Sequence, residues 1–303
     1  MRILVTGSEG TLGRPLVSQL SGNGHEVHGI DLDHSGTLTT TRADVREFRQ
    51  VQRVFDDVRP DLVFHLAAEF GRINGNEWFE QNWTTNMVGT RNVIDLCMER
   101  DVKLVFASSS EVYGELEEDP LVEDHDQLPL RPANDYAISK WANELQIINS
   151  EKDGLQCVRC RFFNAYGPGE TYHPYRSVVA LFCAHALLGR PWTVYEGYSR
   201  VFMYVDDFIP TLARAADRFK AGEVYNIGGR DFRSVRELSD LVLEHTDAEQ
   251  SLVTYMPEDL HNVKSKRPDI SRAATDLDHN PTITLEEGVP RYLEWLRGAI
   301  DRS

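Results

Sequence analysis

The residues of this chain that can carry out chemistry fall into two groups. Tyr136 and Lys140 are four positions apart in Tyr136-Ala-Ile-Ser-Lys140, and on a helix this spacing places both side chains on one face. An ammonium group beside a phenol lowers the pKa of the phenol, so Tyr136 can act as an acid or base near neutral pH. The second group, Ser108-Ser109-Ser110-Glu111, follows an apolar run at residues 104–107. If that run is a parallel strand, these side chains lie at its carboxyl end, where such sheets bind ligands.

The segments that must position these side chains alternate between short apolar runs and amphipathic stretches. Apolar runs predict strands at residues 3–5, 27–30, 62–66, 104–107 and 158–163. Helical patterns occur at residues 12–20, 45–58, 84–100 and 136–150. This alternation is typical of a parallel sheet with helices on both faces. We therefore predict an α/β fold with a Rossmann-type, doubly wound parallel sheet and a smaller mixed lobe towards the C-terminus.

The alternation changes after residue 169, which suggests where the smaller lobe begins. A loop rich in Tyr, His and Pro covers residues 171–176, and further strands are predicted at 201–205 and 225–227. The tail from residue 234 is mostly helical, with a loop around 256–268. We predict a first domain of residues 1–166, which also receives about 201–230, and a second lobe of residues 167–200 and 231–303.

Composition excludes some classes of function. The chain has 303 residues, 41% of them hydrophobic, and a formal net charge of −16. So large an acidic excess argues against nucleic acids or acidic membranes as partners, because both require basic surfaces. The longest apolar stretch, residues 178–188, is too short to cross a bilayer. The N-terminus has no signal-peptide pattern, so we expect a cytoplasmic protein.

The pair Cys157-x-x-Cys160 has a spacing that also occurs in metal and redox sites. On the strand predicted here, however, positions three apart point to opposite faces of the sheet. A second pair that would complete a tetrahedral metal site is missing from the sequence. We interpret both residues as ordinary buried strand cysteines and predict no metal site.

A glycine-rich turn near the N-terminus predicts a dinucleotide site. Gly7, Gly10 and Gly13 form G-x-x-G-x-x-G between a strand and a helix, where the backbone can approach a pyrophosphate at the helix N-terminus. Asp31 ends the second strand and would accept hydrogen bonds from ribose hydroxyls, while it would repel a 2′-phosphate. The predicted cofactor is therefore NAD, and the first domain is the NAD-binding domain. Asp44, at the end of a possible third strand, either meets the adenine or caps a helix.

Together these motifs make the chain similar to the extended short-chain dehydrogenases/reductases of the NAD-dependent nucleotide-sugar epimerase/dehydratase group, which includes UDP-glucose 4-epimerase. The matching motifs run in family order over nearly the whole chain, and as a set they are highly specific. They are Thr6-Gly7-x-x-Gly10-x-x-Gly13, His65-Leu-Ala-Ala68, Asn86-x-x-Gly-Thr-x-Asn92, Ser108-Ser-Ser-Glu-Val-Tyr-Gly114, Tyr136-x-x-x-Lys140, Phe163-Asn164-x-Tyr166-Gly-Pro168 and Arg200-x-Phe-x-Tyr204-Val-Asp206-Asp207.

The resemblance implies a catalytic centre of Ser109, Tyr136, Lys140 and Glu111. Ser109 would hydrogen-bond the sugar O4, Tyr136 would take the O4 proton while hydride leaves C4 for NAD, and Lys140 would hold the nicotinamide ribose. The cofactor-binding candidates are Gly7, Gly10, Thr11, Leu12, Asp31, Asp44, Val45, Leu66, Ala67, Ala68, Ser108, Tyr136, Lys140 and Phe163. The substrate-binding candidates are Ser110, Asn164, Arg176, Arg200 and Arg267.

Some of these candidates have ordinary structural alternatives. For Asn164 and Arg200, the alternatives to substrate binding, which we favour less, are a loop cap and a surface ion pair. Arg176 belongs to one of two loops, residues 69–72 and 172–176, that we expect to face the cleft, where loop packing is an equal alternative to substrate binding. Family members often have an Arg and an Asp in a loop near the C-terminus that contact the nucleotide. That loop is shortened here around residues 262–272, so Arg267 or a neighbouring Lys would have to replace them.

The reaction depends on what surrounds Ser109. Similar enzymes that carry out 4,6-dehydration have the sequence Thr-Asp-Glu at this point. In this chain Ser110 replaces the Asp, and a serine hydroxyl is a poor acid. Glu111 remains available for chemistry at C5, as in the similar UDP-glucuronate decarboxylases. Those enzymes have an Arg directly after the Lys, whereas Trp141 follows Lys140 in this chain. We therefore favour a 4-epimerase, ahead of a lyase that uses Glu111 (a decarboxylase or an atypical dehydratase). A dehydrogenase or reductase comes third, and a non-catalytic NAD sensor last.

The resemblance also implies partners. The substrate would be a nucleotide-diphosphate sugar, whose base and sugar the sequence does not reveal. Family members usually form homodimers by pairing two helices from each subunit, which here would be the predicted helices at residues 84–100 and 136–150.

Overall fold

The computed structural model describes residues 1–33, 39–116, 119–124, 130–257, 259 and 262–301. A seven-stranded sheet forms its centre, in the order β11-β6-β5-β4-β1-β2-β3 with every pairing parallel. The strands are β1 Arg2–Thr6, β2 Glu26–Asp31, β3 Thr40–Arg42, β4 Leu62–His65, β5 Lys103–Ser109, β6 Cys157–Phe162, β7 Ala165–Tyr166, β8 Trp192–Tyr195, β9 Ser199–Val201, β10 Met203–Tyr204, β11 Val224–Ile227, β12 Phe232–Ser234, β13 Val253–Met256 and β14 Ser265–Lys266. This sheet confirms the predicted Rossmann-type fold.

Helices cover both faces of the sheet. They are α1 Gly13–Gly22, α2 Phe48–Val58, α3 Arg72–Glu77, α4 Phe79–Trp83, α5 Thr90–Arg100, α6 Asp135–Glu151, α7 Val178–Leu187, α8 Val205–Asp217, α9 Val235–Glu244, α10 Ser271–Leu277 and α11 Leu285–Ile300. A π-helical turn, Thr84–Gly89, joins α4 to α5, and short 3-10 turns occupy Ser110–Tyr113 and Gln250–Leu252. Within the part of the chain that the structure describes, no helix is long and apolar enough to cross a membrane.

Two apolar clusters pack on the two faces of the sheet. One contains side chains of α2, α5 and α6, and the other contains those of α1 and α8 and continues into the second lobe. Cys157 belongs to the first cluster and Cys160 to the second, as alternation along a strand requires. The central strands are mostly buried, with β4 buried at every residue, because a parallel sheet covered on both faces exposes neither.

The second lobe consists of short strand pairs between helices. Strand β8 pairs with β13, whereas β9 pairs with both β12 and β14. The β9–β14 pairing brings residues 265–266 next to residues 199–200, across 66 positions of sequence. This pairing places the C-terminal loop against the active-site end of the central sheet.

Several element boundaries differ from the sequence predictions. Helix α2 begins at Phe48 with Glu47 as its N-cap residue, so the alternative role of Asp44 as a helix cap is wrong. The predicted helix at residues 84–100 starts as a π-helical turn and is preceded by α3 and α4, which the sequence pattern did not reveal. The predicted strand at 201–205 is divided between β9 and β10, which belong to different sheets. Tail strands β13 and β14 were also not predicted.

Candidate active site

Strand β5 and helix α6 bring the two predicted chemical groups together. Strand β5 ends at Ser109, and Asn134 caps α6 by accepting a hydrogen bond from the Ala137 N–H at 2.9 Å, which fixes Tyr136 in the first turn. The Ser109 side chain lies close enough to the Tyr136 phenol to lower the pKa of that phenol. Lys140, one turn further, is buried and donates from Nζ to the Ala107 carbonyl at 2.9 Å. Ser109, Tyr136 and Lys140 therefore lie at the carboxyl end of β5, as predicted.

The electrostatic state of this trio is set mainly by burial. Burial raises the pKa of Tyr136 to about 12, and the nearby Glu111 carboxylate adds to this, while the Ser109 side chain acts in the opposite direction. Burial also lowers the pKa of Lys140 to about 8, although Glu144 partly opposes it. The chain by itself therefore does not produce the lowered phenol pKa that the sequence suggested. The Lys140 ammonium binds a carbonyl and lies 6.0 Å from the centre of the phenol ring.

A neutral histidine supports the floor of the site. His65, at the end of β4, shares hydrogen bonds with Thr6 Oγ1 at 2.7 Å and Thr90 Oγ1 at 3.0 Å. Burial and the Lys140 charge lower the pKa of His65 to about 3, so it stays uncharged at physiological pH. Its role is to connect β1, β4 and α5 below the catalytic side chains.

Glu111 is held by a residue from the C-terminal loop. The Lys266 ammonium forms a buried ion pair with the Glu111 carboxylate. The other Glu111 oxygen accepts a hydrogen bond from the Asn134 amide at 3.3 Å. Lys266 and Arg200 lower the pKa of Glu111 despite its burial, and burial lowers the pKa of Lys266 to about 8. The site thus contains a second acid–base pair next to Tyr136, built across the two lobes.

Arg200, a predicted substrate ligand, binds the same loop. Its guanidinium donates to the carbonyls of Ser199, Lys264 and Val263 at 2.8, 3.1 and 2.5 Å, and to Asn262 Oδ1 at 2.6 Å. The residue is only 6% exposed. In the structure Arg200 therefore fixes the backbone that carries Lys266.

A fully buried network lies directly beneath the catalytic helix. Glu144, one turn after Lys140, accepts hydrogen bonds from both Arg161 Nε at 3.0 Å and Arg161 Nη2 at 2.8 Å. Ser108 donates to the same carboxylate at 2.5 Å, so the side chain of this predicted cofactor ligand points towards α6. Arg161 continues the network by donating to the Tyr113 hydroxyl at 3.1 Å, and this hydroxyl donates to Asn226 at 2.6 Å. These bonds connect β5, β6, α6 and β11.

The glycine-rich turn is packed so closely that only glycine fits at two positions. Gly7 has a φ of +72°, and a Cβ atom there would lie 2.8 Å from the Ala67 nitrogen. A Cβ at Gly13 would lie 2.0 Å from the Gly7 carbonyl. The Ala67 N–H donates to Thr6 Oγ1 at 3.1 Å, and Asp31 accepts the backbone N–H groups of Glu9 and Asp33. Backbone and a carboxylate therefore line the space where the sequence predicts a dinucleotide.

The other predicted cofactor ligands surround this turn or continue it. Thr11 Oγ1 donates to the Gly169 carbonyl at 3.2 Å, and Leu12 precedes α1. Asp44 forms an ion pair with Arg46 at 2.6 Å, and Val45 is buried against Gly89. Leu66, Ala67 and Ala68 follow β4, and Phe163 is fully buried beside Tyr113.

The predicted substrate ligands occupy different places. Ser110 is buried at the start of the 3-10 turn, and the Asn164 amide donates to the Val201 carbonyl at 3.2 Å. Arg176 lies over the Phe70 ring at 4.7 Å and 3.4 Å from Thr11 Oγ1, at the cofactor side of the cleft. The side chain of Arg267 is 55% exposed and lies near Asp119, so its neighbour Lys266 takes the inner position.

The family model for the NAD dependent epimerase/dehydratase family matches residues 3–228. The chain belongs to this family. The resemblance inferred from the motifs is thereby confirmed, and the structure adds the seven-stranded sheet that the epimerase structures share.

Relatives with different reactions match the chain over almost its whole length. UDP-N-acetyl-alpha-D-glucosaminuronate decarboxylase of Bacillus cytotoxicus is 28% identical over 98% of this chain and 98% of its own. UDP-glucose 4-epimerase of Mycolicibacterium smegmatis is 30% identical over 98% of this chain and 99% of its own. The crystal structure of Thermus thermophilus UDP-glucose 4-epimerase in complex with NAD has a TM-score of 0.88 and 30% identity, covering 99% of this chain and all of that one. The chain is an NAD-dependent enzyme of the epimerase/dehydratase/decarboxylase type.

The residues present fit the NAD that the family uses. At Gly7 and Gly13 the turn has no space for side chains, so its backbone could approach a bound pyrophosphate. Asp31 offers carboxylate oxygens at the end of β2. Arg176 adds a buried Nε atom that has no hydrogen-bond partner among the described residues. When bound, NAD would supply a hydride acceptor, and the positive charge of its ring would favour the phenolate form of a nearby phenol such as Tyr136.

The two loops at residues 69–72 and 172–176 are held by contacts with neighbouring segments. Tyr175 donates to Glu77 at 2.5 Å and accepts a hydrogen bond from Trp78 Nε1 at 2.9 Å, which joins the loop at 172–176 to α3. Arg72, at the start of α3, pairs with Asp259 at 2.6 Å. These contacts connect both lobes at the rim of the site.

Sequence reasoning included Lys266 only as an unspecified Lys beside Arg267, and it did not name Glu144 as a site residue. Lys266 lies outside the segment that the family model matches, on a strand of only two residues. Glu144 could have been found, because it follows Lys140 by four positions and so shares its helix face. A carboxylate on that buried face requires a buried cation.

Proposed function

We propose that this chain is an NAD-dependent nucleotide-sugar 4-epimerase. The observation that carries the proposal is the pairing of Ser109 with Tyr136 next to Lys140, while both oxygens of Glu111 are already engaged. A 4-epimerase needs one acid–base group at O4 and a redox cofactor, and it needs no proton transfer at C5. The site therefore supplies what epimerisation requires.

In the proposed reaction Ser109 holds the sugar O4 hydroxyl and Tyr136 takes its proton as the C4 hydride departs to NAD. The resulting 4-keto sugar presents its other face and regains the hydride at C4. Tyr136 then returns the proton to O4, so that the cofactor ends as it began. Lys140 provides the positive charge that stabilises the phenolate during this cycle.

Charges at the cofactor end suit the diphosphate of the substrate or cofactor. Arg176 has an unpartnered Nε among the described residues and lies beside Thr11 at the start of α1. A guanidinium in such a position binds phosphate oxygens through paired donors. We assign Arg176 to diphosphate binding, whereas Arg200 supports the C-terminal loop.

A second candidate is a lyase that acts at C5. The ion pair between Glu111 and Lys266 favours it, because the pair joins a carboxylate to an ammonium with a pKa of about 8. After oxidation at C4, such a pair could return a proton to C5 once a C5 carboxylate has left as carbon dioxide. A decarboxylase among the similar proteins agrees with this candidate.

One experiment separates the two reactions. The purified chain is incubated with UDP-, GDP-, CDP- and dTDP-sugars, both neutral and C5-carboxylated, and products are analysed by mass spectrometry and NMR. A 4-epimerase gives a product of unchanged mass with inverted C4 and needs no stoichiometric NAD, whereas a decarboxylase gives loss of carbon dioxide. Tyr136→Phe should reduce turnover about 10²- to 10⁴-fold while NAD stays bound. Undiminished turnover in that variant would remove Tyr136 from the mechanism.

We also propose a homodimer through the helices predicted for it. Val88, Ile138 and Leu145 are 44%, 42% and 48% exposed and lie on the π-helical turn before α5 and on α6. Pairing with a second copy would remove these apolar side chains from water. Light scattering should give twice the chain mass, and Leu145→Glu combined with Ile138→Glu should give the monomer mass.

A further inference from the structure

The turn after β1 carries a second carboxylate close to Asp31. Glu9 lies between Gly7 and Gly10, and its backbone N–H donates to Asp31 Oδ2 at 2.8 Å. Its side chain is only 8% exposed. The carboxylate accepts hydrogen bonds from Thr40 Oγ1 at 3.0 Å and from Arg14 Nε at 3.1 Å. A buried carboxylate is thus fixed after the carboxyl end of β1, beside Asp31 at the end of β2 and Thr40 at the start of β3.

We propose that Glu9 is a specificity-determining residue that excludes NADP from the cofactor site. Asp31 is placed to bind the adenosine ribose, so a 2′-phosphate on that ribose would approach both carboxylates. A phosphate monoester carries about −1.5 to −2 charges near pH 7, and repulsion between like charges is strong where water is partly excluded. Asp31 and Glu9 together therefore disfavour the phosphorylated cofactor more than Asp31 alone.

Glu9 acts through Arg14 as well. Arg14 is the cation that this turn could offer to a 2′-phosphate, since its side chain is 65% exposed and starts from the first turn of α1. The ion pair with Glu9 neutralises the guanidinium and directs its Nε away from an incoming phosphate. Removal of the Glu9 charge would both relieve repulsion and free a phosphate ligand.

The test measures cofactor binding without any sugar, so its outcome is independent of the proposed epimerase reaction. Dissociation constants of NADH and NADPH are measured by fluorescence titration of the full chain after removal of bound cofactor. Glu9→Gln keeps the size of the side chain and one acceptor oxygen but removes its charge. We expect NADPH affinity to rise about tenfold relative to NADH affinity, which corresponds to about 1.4 kcal/mol. An unchanged NADPH-to-NADH ratio overturns the proposal.

Two controls distinguish charge from support of the turn. Glu26→Gln removes the same charge from the opposite end of β2, where the residue is exposed, and should leave the ratio unchanged. Thr40→Val removes a hydrogen bond to Glu9 but keeps the carboxylate, so it should also leave the ratio unchanged. If Thr40→Val shifts the ratio as much as Glu9→Gln, the proposal is wrong.

A double variant tests the part played by Arg14. In Glu9→Gln combined with Arg14→Gln, the gain in NADPH affinity should be smaller than in Glu9→Gln alone, because the freed guanidinium is gone. An equal gain in both variants would contradict the proposed role of Arg14. Retained NADH binding in each variant shows that the site is still folded.

Discussion

Two buried carboxylate–cation pairs lie at or beside helix α6, and they differ in exposure, in geometry and in the pKa of the cation. Glu144 and Arg161 are 0% and 3% exposed, share two direct hydrogen bonds and join α6 to the neighbouring strand β6. Glu111 and Lys266 come from different lobes and meet at the cleft, where Glu111 is 24% exposed. Arg161 has a pKa raised far above its usual range, mainly because Glu144 outweighs the effect of burial, whereas burial lowers the pKa of Lys266 to about 8. The first pair is permanently charged, while the second can exchange a proton near physiological pH.

This difference indicates separate tasks. A guanidinium with its donors satisfied inside the core is suited to fixing strand and helix positions. An ammonium that can lose its proton at the mouth of a cleft is suited to chemistry or to substrate binding. The following predictions test that division of roles, from the largest expected effect to the smallest.

Glu144→Gln should produce the largest loss of stability. The substitution leaves the Arg161 guanidinium buried without a full counter-charge, which typically costs about 3–5 kcal/mol. Urea unfolding monitored by circular dichroism measures the change. Glu151→Gln is the matched control, seven residues further along the same helix and paired less closely with Arg159 at 3.5 Å. The free energy of unfolding of this control variant should fall by less than about 1 kcal/mol.

A double variant shows whether stability is lost because the ion pair is absent or because one charge is left buried without a partner. Glu144→Met combined with Arg161→Met removes both charges, so it should be more stable than Glu144→Gln. A double variant that is as unstable as the single one would mean that the hydrogen bonds to Ser108 and Tyr113 carry the effect. The pKa of Glu144 is lowered by Arg161, so the unfolded state binds more protons below about pH 4.5. Wild-type stability should therefore fall with pH in that range, and Glu144→Gln should show a shallower fall.

The contrast also explains how much of the site the sequence could predict. Ser109, Tyr136 and Lys140 were found because each belongs to a motif on a regular element, and the order of strands brings the elements together. Lys266 was not singled out from the Lys residues beside Arg267, because its place depends on a two-residue strand that pairs with β9 across 66 positions of sequence. A strand of two residues is too short to show the alternation of apolar and polar residues from which strands are predicted. The raised pKa of Tyr136 was also not foreseen, since burial is a property of the packed structure.

Lys266→Met should affect turnover more than stability. Without the ammonium, the Glu111 carboxylate loses its main counter-charge and its pKa rises. Hydrogen bonds to charged groups are worth about 1.5–3 kcal/mol, so kcat/KM should fall about 10- to 100-fold. NAD binding should be unchanged, because the pair lies at the sugar end of the cleft. Lys266→Arg keeps the positive charge and should recover part of the loss; equal losses in Arg and Met variants would contradict a role for charge.

The pH profile should distinguish the second pair from the first. Lys140 and Lys266 both have a pKa of about 8, so both are charged below that pH and lose their protons above it. The value of kcat/KM should therefore decline above about pH 8. Because both lysines lose a proton, the decline should approach about a hundredfold decrease per pH unit. In Lys266→Arg only Lys140 still titrates, so the decline should approach one tenfold loss per unit. Glu144 and Arg161 contribute nothing in this range.

Arg72→Gln should have the smallest effect, and it tests which contact holds the C-terminal loop. Arg72 pairs with Asp259 at the rim, where the side chains are 23% and 11% exposed, and such pairs contribute about 0–1 kcal/mol. The same loop is also held by the Arg200 hydrogen bonds and by Lys266 deep in the cleft. We expect KM for the nucleotide sugar to rise only a few-fold, with kcat unchanged, in steady-state assays. If Arg72→Gln instead lowers kcat as strongly as Lys266→Met, then the Arg72–Asp259 pair at the rim determines the position of Lys266. The contacts deep in the cleft would then be insufficient to hold the C-terminal loop.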